Sequence, residues 1–149
     1  MNSSKSRFTL ASVVRVILIV LGVLIICMTV FMFFKIQYDA NSALRNAKDV
    51  RLSLRSADIE MYAVGETIFN PDKKNGLEDG VKDKVEMLVD PKGKYSITSY
   101  DSKHHELTGM TYRQGNYVVY FTKNGDEVTW DVNFILNIKH FDESDVSGE

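Results

Sequence analysis

Apolar residues along this chain follow three successive patterns. From Val16 to Phe34, nineteen consecutive positions carry no charge. At about 1.5 Å of helical rise per residue, that run crosses a bilayer core of roughly 30 Å. Beyond Lys35, apolar and small residues fall at Ile36, Ala40, Ala43, Ala47, Val50, Leu54, Ala57 and Met61, a 3-4 alternation after the first step. Such spacing makes one narrow stripe on one side of a helix. No Pro interrupts Phe8 to Val64, and Gly22 is the lone break. The pattern therefore predicts a single helical rod of about 85 Å. Residues 8–34 are its membrane-spanning part, with the core at 16–34, and residues 35–64 are its outer half. Gly65 is placed to cap its C-terminus.

Residues 65–94 form a connector. It holds both prolines, Pro71 and Pro91, and the turn-prone Asn70-Pro71-Asp72 and Asn75-Gly76. Leu77, Val81, Val85 and Leu88 share one helical face, with Glu78 to Lys82 and Lys82 to Glu86 at i,i+4, so a short second helix is predicted.

From Tyr95 the period becomes two. Val128, Trp130, Val132, Phe134, Leu136 and Ile138 alternate with mostly polar neighbours, as do Tyr117, Val119 and Phe121 before them. That is the signature of strands with one buried face. Asn124-Gly125 between the two runs predicts a two-residue hairpin loop that sets Phe121 opposite Val128, Val119 opposite Trp130 and Tyr117 opposite Val132. A turn near Gln114-Gly115 likewise sets Tyr112 opposite Tyr117 and Met110 opposite Val119. With Tyr95 to Tyr100 as a further strand, residues 95–141 form an antiparallel meander of three or four strands, and residues 142–149 an acidic tail. The fold class is α+β: a long N-terminal helix packed on a small antiparallel sheet, with the alanine stripe against the sheet's apolar face.

Charge adds an orientation. Residues 1–34 hold Lys5, Arg7 and Arg15 and no acid. The remainder holds the other fifteen Lys/Arg and all twenty Asp/Glu, a formal charge of −5. The positive-inside rule then leaves the N-terminus cytoplasmic and the C-terminal domain outside the cell membrane in a single-pass arrangement. No basic cluster lies outside the membrane flank, which makes nucleic acid a poor partner. The lone Cys27 sits inside the apolar run, so no disulfide is expected in the outer domain. A secretory signal peptide competes with a retained anchor. The run exceeds the usual apolar region of such peptides, and Val30-Phe31-Met32-Phe33-Phe34 offers no small-x-small cleavage site, which favours the anchor.

The polar basic leader Met1 to Arg7, the following Phe8-Thr9-Leu10, the long apolar helix, its small-residue outer stripe and the following sheet together resemble the type IV pilin and pseudopilin family. The resemblance implies cleavage by a prepilin peptidase between Arg7 and Phe8. It also implies a mature helix that anchors the subunit in the bilayer and then packs with other pilin-like subunits in a filament. Arg7 and Ser12 stand where the family usually has Gly before the cut and Glu at the fifth mature position. Arg15 is placed either to snorkel to the interface as a membrane-flank arginine or to meet a partner in an assembly. Residues Ala40, Ala43, Ala47, Val50, Leu54, Ala57 and Met61 form the packing stripe.

The sequence carries little that points to catalysis. No Gly-x-Ser-x-Gly, P-loop or dinucleotide fingerprint is present. His104-His105 are adjacent and accompanied by no Cys, and His140 lies far along the last strand. Asp142, Glu143 and Asp145 lack the central Gly of a calcium loop. No enzyme, metal or cofactor is expected. Tyr95, Tyr100, Tyr112, Tyr117 and Tyr120 crowd the sheet, either as a partner-binding face or through strand propensity alone. Two readings follow: a structural subunit of a type IV pilus-like or pseudopilus filament, or a membrane-anchored envelope domain that binds a protein partner without polymerising.

Overall fold

A computed structural model describes residues 10–135. Arg7, Phe8, His140, the end of the last predicted strand and the acidic tail lie outside the described residues. Helix α1 runs Leu10–Ala63, helix α2 Val81–Leu88, and four strands follow: β1 Lys94–Asp101, β2 Glu106–Gln114, β3 Tyr117–Asn124 and β4 Glu127–Phe134. The chain divides into two compact units, Met1–Asp39 and Ala40–Glu149.

In the first unit the apolar stretch is exposed throughout, from Val16 to Phe34. It is long and apolar enough to cross a membrane, with a mean hydropathy of 3.2 over its most apolar stretch. Thr29 donates its hydroxyl proton to the Ile25 carbonyl at 2.9 Å, which satisfies the one side-chain hydroxyl in the run without water.

In the second unit the remainder of α1 packs on the sheet. Ala43, Ala47, Val50, Leu54 and Ala57 are fully buried and Met61 nearly so, while Ala40 is half-buried and Ile36 exposed. They share one core with Ile97, Leu107, Met110, Tyr112, Val119 and Phe121 from the sheet and Val81 and Val85 from α2. Alanines let the helix backbone sit close to the larger side chains of the strands. The helix ends in a Schellman motif. Gly65 is left-handed at φ +81°, Glu66 N–H donates to Met61 O at 2.9 Å, and Gly65 N–H donates to Tyr62 O at 3.0 Å.

The sheet is a meander in the order β1-β2-β3-β4, antiparallel throughout. Both hairpin registers differ from the sequence-based expectation by two residues. Phe121 faces Trp130, Val119 faces Val132 and Tyr117 faces Phe134. Tyr112 faces Val119 and Met110 faces Phe121. The loops are therefore Gly125-Asp126 and Gly115-Asn116. In each, Gly is the first loop residue with positive φ (+60° and +56°), and the residue after it does not share that sign. This is the type II′ requirement, whereas an Asn124-Gly125 loop of type I′ needs positive φ at both positions. A shift of two keeps every side chain on its face, so the buried set is unchanged.

Between β1 and β2 the pairing slips twice in compensating directions. Thr98 is extra on β1 and Thr108 extra on β2. The inward face passes from Tyr95 and Ile97 to Tyr100 on one strand, and from Tyr112 and Met110 to Leu107 on the other. Gly109 makes this possible, since a Cβ there would meet Thr98 Oγ1 at 2.6 Å.

The connector differs from expectation at its helix. Leu77 lies outside α2 in an isolated bridge with Phe69, and Leu88 is exposed. Gly80, left-handed at φ +79°, blocks extension of the helix toward Leu77. Lys82 and Glu86 pair at 3.5 Å as the spacing predicts, but Glu78 pairs with Lys73 at 3.2 Å instead of Lys82. The loop before α2 covers the outer edge of β1, where Ile97 N–H donates to Asn75 O at 2.9 Å. At the opposite edge β4 buries little. Val128 and Phe134 are exposed and Trp130 and Val132 half-buried, so the strand expected to have one buried face covers only part of it.

Candidate functional site

The polar stripe of α1 that borders the alanines carries Arg51, Arg55 and Asp58, spaced i, i+4 and i+7, so all three rise from one side of the helix. The β1–β2 turn brings His104, His105 and Glu106 against them, and Leu107 contributes an apolar wall. Together they enclose a cleft of about 130 Å³.

The turn is held by its own side chains. Asp101 accepts from the Lys103 and His104 amides at 2.8 and 3.3 Å, and its other oxygen meets His104 Nδ1 at 2.6 Å. The His104 bond holds the Asp101 carboxyl below its ordinary range, and the same carboxylate raises the His104 imidazole. His105 adopts φ +50°, a left-handed backbone that costs a side chain about 1–2 kcal/mol. Its ring lies 4.2 Å from that of Tyr62 on α1, which holds it at the mouth of the cleft.

Each carboxylate of the cleft is committed. Glu106 is ion-paired with Lys123 of β3. Asp58 is nearly buried and accepts from the Tyr100 hydroxyl at 2.8 Å. Burial pushes the Asp58 carboxyl up from 3.8, against the downward pull of the Tyr100 bond and of His105. The same burial and bond push the Tyr100 phenol up to about 12.

The arginines are not committed in the same way. Arg51 stacks on Phe121, its Cζ 4.4 Å from the ring centroid. Among the described residues neither Arg51 nor Arg55 belongs to an ion pair within 4.0 Å. Burial lowers the Arg51 pKa, and the neighbouring Arg55 charge lowers it further, while Glu106 raises it. The cleft thus presents two guanidinium groups one helical turn apart, with imidazoles at its rim. Guanidinium groups without an ion pair are the side chains that carboxylates and phosphates pair with. Among the described residues no group of three or more His, Cys, Asp or Glu side chains could hold a metal ion.

The sequence draws attention to His104 and His105 only as metal candidates, for which no site is expected, and does not single out Arg51, Arg55 and Asp58. Their i, i+4, i+7 spacing was visible, but nothing in the sequence pairs that stripe with the β1–β2 turn. Of the residues it did single out, Ser12 and Arg15 lie on the exposed face of the apolar helix, and the stripe from Ala43 to Met61 is consumed by the intramolecular core. The tyrosines do not form an exposed face. Tyr112 and Tyr117 are buried, Tyr95 and Tyr100 half-buried, and Tyr120 alone is exposed. Tyr112 donates to Gln114 Oε1 at 2.9 Å, and the same oxygen accepts from Asn46 Nδ2 at 2.7 Å, tying α1 to the end of β2.

No protein-family model, curated protein or solved structure matches this chain.

Proposed function

We propose that this chain is a structural subunit of a type IV pilus-like or pseudopilus filament, held in the cell membrane by the apolar half of α1, with its α+β domain on the extracytoplasmic side. One observation carries the reading. A single helix has a fully exposed apolar half, and its other half is spent packing an alanine stripe on a four-stranded antiparallel meander. The exposed half needs an apolar environment, which either lipid or neighbouring helices of the same kind provide. The stripe is already covered by the subunit's own sheet. Contacts between subunits would therefore run through residues 12–34, where the small residues Gly22 and Cys27 lie.

The second reading, a permanently anchored domain that does not polymerise, is favoured by Arg7 and Ser12 at the Gly and Glu positions of the pilin pattern and by Arg15 and Lys35 flanking the apolar run. Cysteine cross-linking in native membranes separates the two. With Cys27 moved one position at a time from Val23 to Val30, an assembling subunit cross-links to itself at positions that recur every three or four residues. A solitary anchor gives no such period, and that result would remove the filament reading.

A further inference from the structure

The geometry points to the cleft of Arg51, Arg55 and His105 as a binding site for a compact oxyanion, a carboxylate or phosphate group presented from outside the chain. The reasoning uses only the unit Ala40–Glu149 and holds whether or not the chain polymerises.

Two like charges at i,i+4 on a helix repel, and a fold that keeps them together without an ion pair gains when an anion bridges them. Arg51 cannot turn away, because its guanidinium is stacked on Phe121. Arg55 is exposed and free to close on a ligand. Glu106 is ion-paired with Lys123 and Asp58 accepts from the Tyr100 hydroxyl, so neither forms an ion pair within 4.0 Å with Arg51 or Arg55. The His105 ring, fixed by its left-handed backbone and by Tyr62, adds a donor at the rim. A volume of about 130 Å³ admits a group of a few heavy atoms. Guanidinium forks match both planar carboxylates and tetrahedral phosphates, so the residues define the shared chemistry and the experiment assigns the source.

The full-length chain in detergent micelles is titrated with inorganic phosphate and, separately, with acetate at constant ionic strength, following the ring resonances of His104 and His105. Saturable shifts are expected with at least one probe. Saturation by phosphate and not acetate assigns a phosphoryl ligand, and saturation by acetate assigns a carboxylate. Arg55→Gln weakens the apparent affinity at least tenfold, Arg55→Lys restores part of it, and Arg45→Gln, elsewhere on the exposed surface of α1, leaves it unchanged. Without anion, Arg55→Gln is as thermally stable as the parent or more so, because the repulsion is gone. Linear, unsaturated shifts with both probes would overturn the proposal, and so would an Arg55→Gln chain that binds like the parent.

Discussion

The Tyr100 hydroxyl on β1 donates to the Asp58 carboxylate on α1 at 2.8 Å, a polar link between helix and sheet at the edge of an otherwise apolar interface. Asp58 is the most buried carboxylate of the anion cleft, and its environment sets a clear sign for stability against pH. Burial raises its pKa above 3.8, so between 3.8 and the raised value the folded chain binds more protons than the unfolded one. Stability from this group is therefore present below pH 3.8 and is lost as pH rises through the folded value. Asp58→Asn keeps an oxygen for Tyr100 and removes the titration. It is expected to match or exceed the parent's stability at pH 7 in urea unfolding and to lose this part of the pH slope. Tyr100→Phe strands a buried carboxylate and is expected to cost about 1–3 kcal/mol.

Asp101 and His104 give a dependence with two limits. Each stabilises the charged form of the other, raising His104 above 6.5 and lowering Asp101 below 3.8. The contribution is fully present between those two values. It is lost as pH rises through the folded His104 pKa or falls through the folded Asp101 pKa. An NMR titration is expected to place His104 above 6.5 and to find it lower in Asp101→Asn than in the parent.

The alanine stripe makes a packing prediction. Ala47 is fully buried between α1 and the sheet. Ala47→Leu overpacks that contact and is expected to cost about 1–3 kcal/mol in urea unfolding. Leu52→Ala, on the exposed side of the same helix, is expected to stay within about 0.5 kcal/mol of the parent.

Much of this fold is legible in the residues. The stripe Ala43 to Met61, the cap at Gly65 and the alternation of Tyr117, Val119 and Phe121 follow from local spacing, and the structure realises each. The hairpin loops were displaced because Asn-Gly favours one loop locally, while the backbone places Gly first in a type II′ turn. Face identity survived, because a displacement of two preserves the alternation. The paired bulges at Thr98 and Thr108 and the half-covered β4 were not legible, because they depend on how two strands meet and not on either strand alone. The cleft was hidden for the same reason. Arg51 and Arg55 lie about fifty residues before His104 and His105, and only the fold joins them.

Two glycines separate strain from collision. At Gly76 the backbone is left-handed at φ +67°, and a Cβ would stand 2.2 Å from the Ile97 carbonyl oxygen. At Gly65, φ is +81° but nothing lies within 4 Å. Gly65→Ala is expected to cost about 1 kcal/mol from conformation alone, and Gly76→Ala more than about 2 kcal/mol, by detaching the connector from the edge of β1. Equal losses in urea unfolding would contradict the close approach at Gly76.

The most direct test of the filament account is the intact mass and N-terminal sequence of the chain recovered from membranes of cells that carry the prepilin peptidase. The account predicts a mature chain that begins at Phe8 and is lost when the peptidase is deleted. A chain that still carries Met1 to Arg7 would contradict it and leave the α+β domain as a permanently anchored envelope protein.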